Sequence, residues 1–213
     1  MSDTHRESKE KKQRGSIEPR WRRELREWSK SLFYGIVFVY FFTTFVFKAY
    51  KVEGTSMQPL LQDGERIFVN RYIYMTDELP LIKQELPLTR APEHGDVVVF
   101  WFPREPSKYF IKRVIGIPGD VVSVRNGLIE VNGRRVNTAF IADKYLDQKS
   151  RPSTTVPPGY YYVVGDHHAK SYDSRDWGLV PAKYIIGKAF VRYWPLSKIG
   201  AIRYSDNPPF FVP

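Results

Sequence analysis

The feature that most constrains this chain is a run of apolar residues near its N-terminus. From Ser31 to Tyr50 the sequence reads SLFYGIVFVYFFTTFVFKAY, in which Lys48 is the only charged residue. A helix needs about 20 apolar residues to cross the ~30 Å hydrocarbon layer of a bilayer. Apolar side chains would cover every face of this helix, which argues against a core helix and against an amphipathic surface helix. Thirty hydrophilic residues precede the run and no small-residue cleavage site follows it, which argues against a cleaved signal peptide. The run predicts one transmembrane helix over residues 31–50.

The charges beside this run predict its orientation. Residues 1–30 hold ten Lys or Arg and six Asp or Glu, whereas only Lys48 and Lys51 closely follow the run. The positive-inside rule then places the N-terminus in the cytoplasm and residues 51–213 outside it, at the plasma membrane or at an internal one such as a thylakoid. The tail 1–30 is predicted to be disordered. Its basic charge suits a lipid bilayer better than nucleic acid, because only Trp21 and Trp28 offer aromatic stacking.

The pattern after Lys51 is typical of a β-protein. Short β-branched and aromatic runs alternate with Gly, Pro and Asn. The predicted strands are Arg66–Tyr72, Asp96–Phe102, Tyr109–Ile117, Val121–Arg125, Leu128–Val131, Tyr160–Val164 and Ile186–Tyr193. The dipeptides Asn126-Gly127 and Asn132-Gly133 favour tight hairpin turns and predict a meander over Val121–Val136. The predicted fold class is mainly β: an antiparallel-sheet core with a smaller subdomain at 120–159, preceded by the transmembrane helix.

Three further segments have weaker patterns. The polar, Pro-rich stretch Ala139–Pro158 is predicted to be a loop on the smaller subdomain. Thr76–Arg90 is predicted to be a surface loop, with a membrane-touching lip as the alternative. Pro181–Tyr184 suggests a single helical turn.

The residue types that are missing exclude several kinds of chemistry. The chain has no cysteine, which removes a disulfide framework, a thiolate zinc site and a cysteine nucleophile. Of its four histidines, His167 and His168 are adjacent and point apart on a regular backbone, so they make a poor chelate. They are interpreted as polar loop residues, and no metal site is predicted. A Ser-His-Asp triad that uses His94 or His167 stays open, because triads are assembled in space.

Two residues suggest nucleophilic catalysis without histidine. Ser56 lies in the turn-like segment GTSMQP shortly after the apolar run, where a lone serine would be only a turn residue. Lys112 lies in the strand YFIKRVIG, and alternation places it on the same face as Phe110 and Val114. Desolvation lowers the pKa of a lysine, and a neutral amine can take the proton of a serine hydroxyl. The alternative for Lys112 is a solubility charge on an edge strand, which is also the interpretation for Arg113 on the opposite face.

A polar loop in the C-terminal third of the chain holds further candidate residues for the site. Gly165-Asp166 is followed by Ser171, and then by Asp173-Ser174-Arg175. A small hydroxyl can hold a lysine amine by a hydrogen bond, and an Asp173–Arg175 pair can brace the loop. Taken alone, the loop fits a cation site or a plain surface loop equally well.

Together these blocks resemble bacterial type I signal peptidase, the leader peptidase family of Ser/Lys proteases. The matching segments are SMQP at 56–59, GDVVVF at 95–100, KRVIGIPGD at 112–120, and GD at 165–166 with Ser171 and DSR at 173–175. Their order and spacing also fit, over about residues 30 to 200.

The resemblance implies roles for these residues. Ser56 would be the nucleophile and Lys112 the general base, while Ser171 would orient the Lys112 amine. The supporting residues would be Asp173, Arg175, Gly165 and Asp166. The Ser56 backbone N–H would form the oxyanion hole. Two departures stand out: Gly54 lies where some relatives carry a second donor hydroxyl, and His167 replaces the usual Asn.

The implied reaction is removal of signal peptides from exported preproteins after Ala-x-Ala-like sites, with no metal and no cofactor. The preprotein would add as a strand near 52–55 and 109–111, over shallow pockets lined by Val52, Met57, Phe110 and Ile111. One alternative is a Ser/Lys protease of related fold that cleaves itself or one dedicated partner. The other is a membrane-anchored β-module that binds peptides or anionic lipid without catalysis, in which Ser56 is a turn residue.

Overall fold

The computed structural model describes residues 19–45, 47–77, 89–138, 141–202 and 210–212. They belong to two compact units, one helical and one that begins at Thr44. Helix α1 spans Arg20–Phe45, and all but its last two residues belong to the helical unit. Its large apolar side chains from Leu32 to Tyr40 are exposed.

The bounds of α1 correct two predictions. Residues 20–30, which the sequence assigns to a disordered tail, form the first turns of the helix. Two exposed ion pairs, Arg20–Glu24 and Lys30–Glu27, lie along these turns. The predicted 31–50 helix ends at Phe45, because Phe47–Lys51 form strand β1 and pair with Arg66–Asn70. Within the described residues, no helix combines the length and apolar character that a bilayer crossing requires.

The second unit consists mainly of strands. They are β1 (Phe47–Lys51), β2 (Arg66–Asn70), β3 (Val97–Phe102), β4 (Glu105–Gly116), β5 (Val121–Arg125), β6 (Leu128–Val131), β7 (Arg134–Arg135), β8 (Arg151–Thr155), β9 (Tyr160–Val164), β10 (Val180–Pro181), β11 (Ile185–Trp194) and β12 (Gly200–Ala201). A short helix α2 spans Ser174–Trp177, and 3₁₀ turns span Tyr72–Asp77, Asp143–Tyr145, His168–Lys170, Ala182–Tyr184 and Leu196–Lys198.

These strands form two antiparallel sheets, which confirms the mainly β fold class. The larger sheet has the order β1-β2-β11-β3-β4-β9-β10, with β12 paired to β11, and the smaller has the order β7-β6-β5-β8. Asn126 and Asn132 have φ values of 49° and 51°, as the predicted hairpin turns of the β5–β6–β7 meander require. The smaller sheet lies within 120–159, and a separate subdomain there stays a prediction.

The predicted loop at Ala139–Pro158 is wrong over part of its length. It contains β8, which pairs with β5 at the edge of the smaller sheet. An edge strand tolerates Pro152 and polar side chains because one side faces solvent, and this hides the alternation by which buried strands are recognised. Residues 139–140 lie outside the described residues. So do residues 78–88 of the predicted Thr76–Arg90 loop.

The larger sheet buries both of its faces around β3 and β4. Val97 and Val99 belong to one apolar cluster with Val69, whereas Val98 and Phe100 belong to another. In the antiparallel register Lys112 lies opposite Val98, and Arg113 lies opposite Val97. Two charged side chains of β4 therefore enter the interior on opposite faces of one strand.

Candidate active site

The structure brings Ser56 and Lys112 into direct contact. Ser56 lies in the turn between β1 and β2, 56 positions away from Lys112 on β4. Lys112 Nζ lies 2.7 Å from Ser56 Oγ and donates a hydrogen bond to it. This distance is short enough for direct proton transfer between the hydroxyl and a neutral amine.

The surroundings of Lys112 favour its neutral form. The residue is 4% exposed, and its Nζ lies 5.2 Å from the centre of the Phe110 ring. Burial lowers the pKa of Lys112 to about 8, although the carboxylates of Asp173 and Asp166 act in the opposite direction. About half of the amine is therefore neutral at pH 8.

The backbone of Ser56 is held from the polar loop. Its carbonyl oxygen accepts a hydrogen bond from the His167 N–H at 3.0 Å. Among the described residues, none accepts a hydrogen bond from the Ser56 N–H. This N–H is thus available to a carbonyl oxygen next to the hydroxyl.

A buried ion pair braces the loop from 165 to 175. The Asp173 carboxylate accepts hydrogen bonds from the Gly165 N–H at 3.0 Å and from Arg175 Nε and Nη2, each at 2.8 Å. Asp173 also caps α2 through the Arg175 N–H. Arg175 in turn donates to the His168 carbonyl oxygen and to the Asp147 carboxylate, at 2.9 and 3.2 Å. The loop is therefore fixed at several points.

Gly165 allows this loop to approach the turn that carries Ser56. A Cβ atom built on Gly165 would lie 2.4 Å from the Ser56 carbonyl oxygen and 2.3 Å from Ser171 Oγ. Both distances are shorter than any ordinary contact, so a larger residue would push the loop and the turn apart.

Ser171 lies at this contact without a hydrogen bond to Lys112. Its Oγ is buried, and the described residues give it no partner of good geometry. It is still near enough to the Asp173 carboxylate to help lower the pKa of that group. The predicted orienting contact with the Lys112 amine stays a prediction.

Asp166 pairs with Arg113, which corrects the interpretation of Arg113 as a surface charge. Arg113 Nε and Nη2 each lie 2.7 Å from a carboxylate oxygen of Asp166, and Nη1 donates to the Gly95 carbonyl oxygen at 2.8 Å. Both residues are 2% exposed. The missed signal is that Ile111 and Ile115 flank Arg113 on its own face of β4, which is the same alternation that identifies Lys112.

Comparison with known proteins identifies the family. A family model described as signal peptidase, peptidase S26, matches residues 25–194. The chain belongs to this family. Signal peptidase IB of Staphylococcus aureus (strain MRSA252) is 32% identical over 203 residues, which cover 88% of this chain and 97% of that protein. A probable signal peptidase I-2 of Synechocystis sp. is 34% identical over 182 residues, or 83% of this chain and 76% of that protein. A crystal structure of a signal peptidase I from Enterococcus faecalis V583 is 29% identical, covers 46% of this chain and 97% of that chain, and gives a TM-score of 0.41.

Ser56 lines a cleft of about 650 Å³ in this S26 peptidase. Its lining residues are Tyr50, Lys51, Val52, Glu53, Gly54, Ser56, Ile67, Val99, Ser107, Lys108, Tyr109, Phe110, Ile111, Lys112, Lys170 and Tyr172. Three of the four predicted substrate-binding residues, Val52, Phe110 and Ile111, are among them. Met57 is not: it is 1% exposed and packs in the core cluster that contains Val52 and Leu61. Sequence reasoning missed Tyr172 at the rim, which is about half exposed, as is Tyr109 of the predicted substrate strand.

No described histidine of this S26 peptidase contacts the Ser56 hydroxyl. His94 Nε2 pairs with the Asp120 carboxylate at 2.7 Å, and His167 Nδ1 lies 3.2 Å from the Thr55 carbonyl oxygen. His168 is buried, which lowers its pKa to about 4. Within the described residues, three or more His, Cys, Asp or Glu side chains are nowhere grouped as metal ligands would be.

Proposed function

We propose that this S26 peptidase removes N-terminal signal peptides from exported preproteins, with Ser56 as nucleophile and Lys112 as general base. One observation carries the assignment of residues: a buried amine with a pKa of about 8 lies 2.7 Å from a serine hydroxyl in an open cleft. The names of the curated relatives, signal peptidase IB and probable signal peptidase I-2, support the substrate class.

The reaction follows from these positions. Neutral Lys112 accepts the proton of the Ser56 hydroxyl while Oγ attacks the scissile carbonyl carbon. The Ser56 N–H donates to the oxyanion that develops on the carbonyl oxygen. The Lys112 ammonium then protonates the leaving amine, which departs as the mature protein and leaves the signal peptide esterified to Ser56. Neutral Lys112 next deprotonates a water molecule as its oxygen attacks the ester carbonyl carbon. The Lys112 ammonium then returns the proton to Ser56 Oγ as the bond to the acyl carbon breaks, and the signal peptide leaves with a free carboxylate.

The neighbouring loop is proposed to support this chemistry rather than to take part in it. Asp173 and Arg175 hold the loop rigid, and Gly165 lets it contact the turn of Ser56. Asp166 fixes the loop to β4 through Arg113. Ser171 Oγ, a buried hydroxyl without a partner of its own, is proposed to orient the Lys112 amine when the ammonium forms.

The substrate is proposed to bind as an added strand along β4. Among the described strands, β9 pairs with β4 only from Arg113 to Gly116, which leaves the earlier part of that edge unpaired. The backbone near Val52 offers a substrate fewer free hydrogen-bonding groups than expected. Val52 already forms backbone hydrogen bonds to residues 64 and 65, and the Gly54 N–H donates to the Asp63 carboxylate. Backbone hydrogen bonds to the β4 edge supply affinity, and the apolar floor of Val52, Phe110 and Ile111 selects small side chains, as in Ala-x-Ala-like sites.

We also propose that α1 associates with a lipid bilayer in a single-pass arrangement, with the N-terminus in the cytoplasm. Eight large apolar side chains from Leu32 to Tyr40 are at least 45% exposed on this helix, which favours contact with lipid over contact with water. The excess of Lys and Arg in residues 1–30 supports the orientation. Protease treatment of sealed membranes tests it, since this topology shields the N-terminal tail from a protease added outside.

The test of the catalytic assignment compares Ser56→Ala and Lys112→Met with matched controls. The full-length protein is incubated with a preprotein that carries an Ala-x-Ala site, and the released mature protein is quantified. We expect cleavage to be abolished in both variants and retained in Ser123→Ala and Lys183→Met, which lie outside the cleft lining. Cleavage by Lys112→Met at the wild-type rate would refute the dyad.

A further inference from the structure

The peptide bond between Thr55 and Ser56 carries two groups that matter to the site. It is trans and planar, so the Thr55 carbonyl oxygen and the Ser56 N–H point in opposite directions. A group that fixes the direction of this carbonyl therefore also fixes the direction of the N–H. The N–H is the proposed donor of the oxyanion hole.

Two donors hold the Thr55 carbonyl oxygen. The Gln58 N–H donates to it at 3.1 Å within the turn, and His167 Nδ1 lies 3.2 Å away. Because a carbonyl oxygen can only accept, Nδ1 must carry the hydrogen of this contact. The backbone N–H of His167 also donates to the Ser56 carbonyl oxygen at 3.0 Å. One residue thus holds both carbonyls that flank the Ser56 N–H and Cα.

The His167 side chain is itself fixed. The residue is 5% exposed, and its ring packs edge to face against Tyr145 with 4.7 Å between ring centres. Among the described contacts, its ring reaches neither Ser56 Oγ nor Lys112 Nζ. It therefore has the position of a group that acts through the peptide backbone and not on the reacting atoms.

We propose that His167 is a positioning residue that aims the Ser56 N–H at the reacting carbonyl oxygen by holding the Thr55–Ser56 peptide from its opposite side. The inference rests on the proposed function, because the N–H matters to the rate only if Ser56 is the nucleophile. The hydrogen bond strengthens transition-state binding and leaves substrate binding unchanged, so its loss lowers kcat and not KM.

Two isosteric variants isolate the donated hydrogen bond. The side-chain amide nitrogen of Asn is as far from Cβ as Nδ1 of His, so His167→Asn keeps a donor at this place. His167→Asp has the same shape without a donor, and His167→Ala removes the donor without adding a charge. The ring contact with Tyr145 is lost in all three variants. The missing donor is the one difference from His167→Asn that His167→Asp and His167→Ala share.

The experiment measures kcat and KM for preprotein cleavage on the alkaline plateau of the pH profile, with the melting temperature of each variant. We expect His167→Asn to stay within about three-fold of the wild-type kcat, and His167→Asp and His167→Ala to lose about ten-fold at unchanged KM. His94→Asn, which alters an imidazole outside the cleft, should keep the wild-type kcat. A kcat that is equal in all three His167 variants would overturn the proposal, as would losses that follow the melting temperature.

A second readout does not depend on cleavage. The amide ¹H and ¹⁵N shifts of Ser56 report the polarisation of its peptide bond, and they should move in His167→Asp and His167→Ala but stay near wild type in His167→Asn. Absence of cleavage in the wild-type protein would refute the proposed function. The shifts would still show whether the His167 hydrogen bond to the Thr55 carbonyl oxygen affects the Ser56 peptide bond. Shifts that do not change in His167→Ala would refute the positioning role by themselves.

Discussion

Replacing the buried amine of Lys112 should stabilise the fold while it abolishes cleavage. Burial lowers the pKa of Lys112 from 10.5 to about 8. Because 1 pKa unit corresponds to 1.36 kcal/mol, folding with this ammonium buried costs about 3 kcal/mol at any pH well below 8. Lys112→Met removes this cost and loses one hydrogen bond to Ser56, worth about 1 kcal/mol. We therefore expect a net gain of about 2 kcal/mol in the free energy of unfolding at neutral pH.

The dependence of this gain on pH is its signature. Below pH 8 the lysine is protonated in both the folded and the unfolded chain, so wild type bears the full cost. Between pH 8 and 10.5 the folded state has lost the proton that the unfolded state still binds, and wild type gains stability as the pH rises. The advantage of Lys112→Met should therefore shrink by about 2 kcal/mol, most of its size, between pH 7 and pH 10.

Guanidinium unfolding of both proteins at pH 7 and pH 10, followed by tryptophan fluorescence, measures this difference. Other groups titrate equally in the two proteins, and their effects cancel in the comparison. Lys183→Met, which replaces an exposed lysine, serves as the control and should stay within about 0.5 kcal/mol of wild type at both pH values. A Lys112→Met protein less stable than wild type at pH 7, or a gain that is the same at both pH values, would refute a desolvated amine.

Three further perturbations test other parts of the site. The kcat of cleavage should rise about ten-fold between pH 7 and pH 9, as the neutral fraction of an amine with a pKa of about 8 does, and a flat profile would contradict a titrating base. Arg113→Met strands the buried Asp166 carboxylate and should cost about 3–5 kcal/mol in urea unfolding. Most of this loss should return in the Arg113→Met/Asp166→Leu double variant, and a double variant as unstable as the single one would argue against the pair. Gly165→Ala should lower kcat at least ten-fold, because its Cβ collides with the Ser56 carbonyl oxygen. Gly200→Ala, whose Cβ meets nothing within 4 Å, should keep wild-type activity, and equal rates in the two variants would count against the close approach.

Alternation along a buried strand is the part of this protein that sequence predicts best. It places Lys112 in an apolar interior, and the contact with Ser56 follows once the strand is packed. The same alternation holds for Arg113, because Ile111 and Ile115 lie on its face of β4, and it outweighs the interpretation of Arg113 as a solubility charge. Edge strands such as β8 escape prediction because solvent on one side removes the alternation.

Adjacency in sequence is a poor guide to the cleft. Met57 follows Ser56 directly, yet the turn directs its side chain into the core. Tyr172 lies far from Ser56 in the sequence and still lines the cleft. Likewise, the sequence predicts His167 to be a polar loop residue, and its contacts with the Thr55 and Ser56 carbonyl oxygens are what suggest a role for it. Such contacts depend on how the turn of Ser56 packs against the loop from 165 to 175, and hydrophobic periodicity in the sequence does not predict how loops pack.

The two buried ion pairs explain how the pKa of Lys112 can be lowered although two aspartates lie nearby. Asp173 and Asp166 hold the loop, and each would stabilise an ammonium at Lys112 and raise its pKa. Each carboxylate is bonded to its own guanidinium, Asp173 to Arg175 and Asp166 to Arg113, at 2.8 and 2.7 Å. A paired charge acts at a distance as a dipole, whose potential falls faster than that of a bare carboxylate, so burial prevails over attraction at Lys112. The arginines thus let the loop use acidic residues for rigidity while the pKa of the base that this rigidity serves stays low.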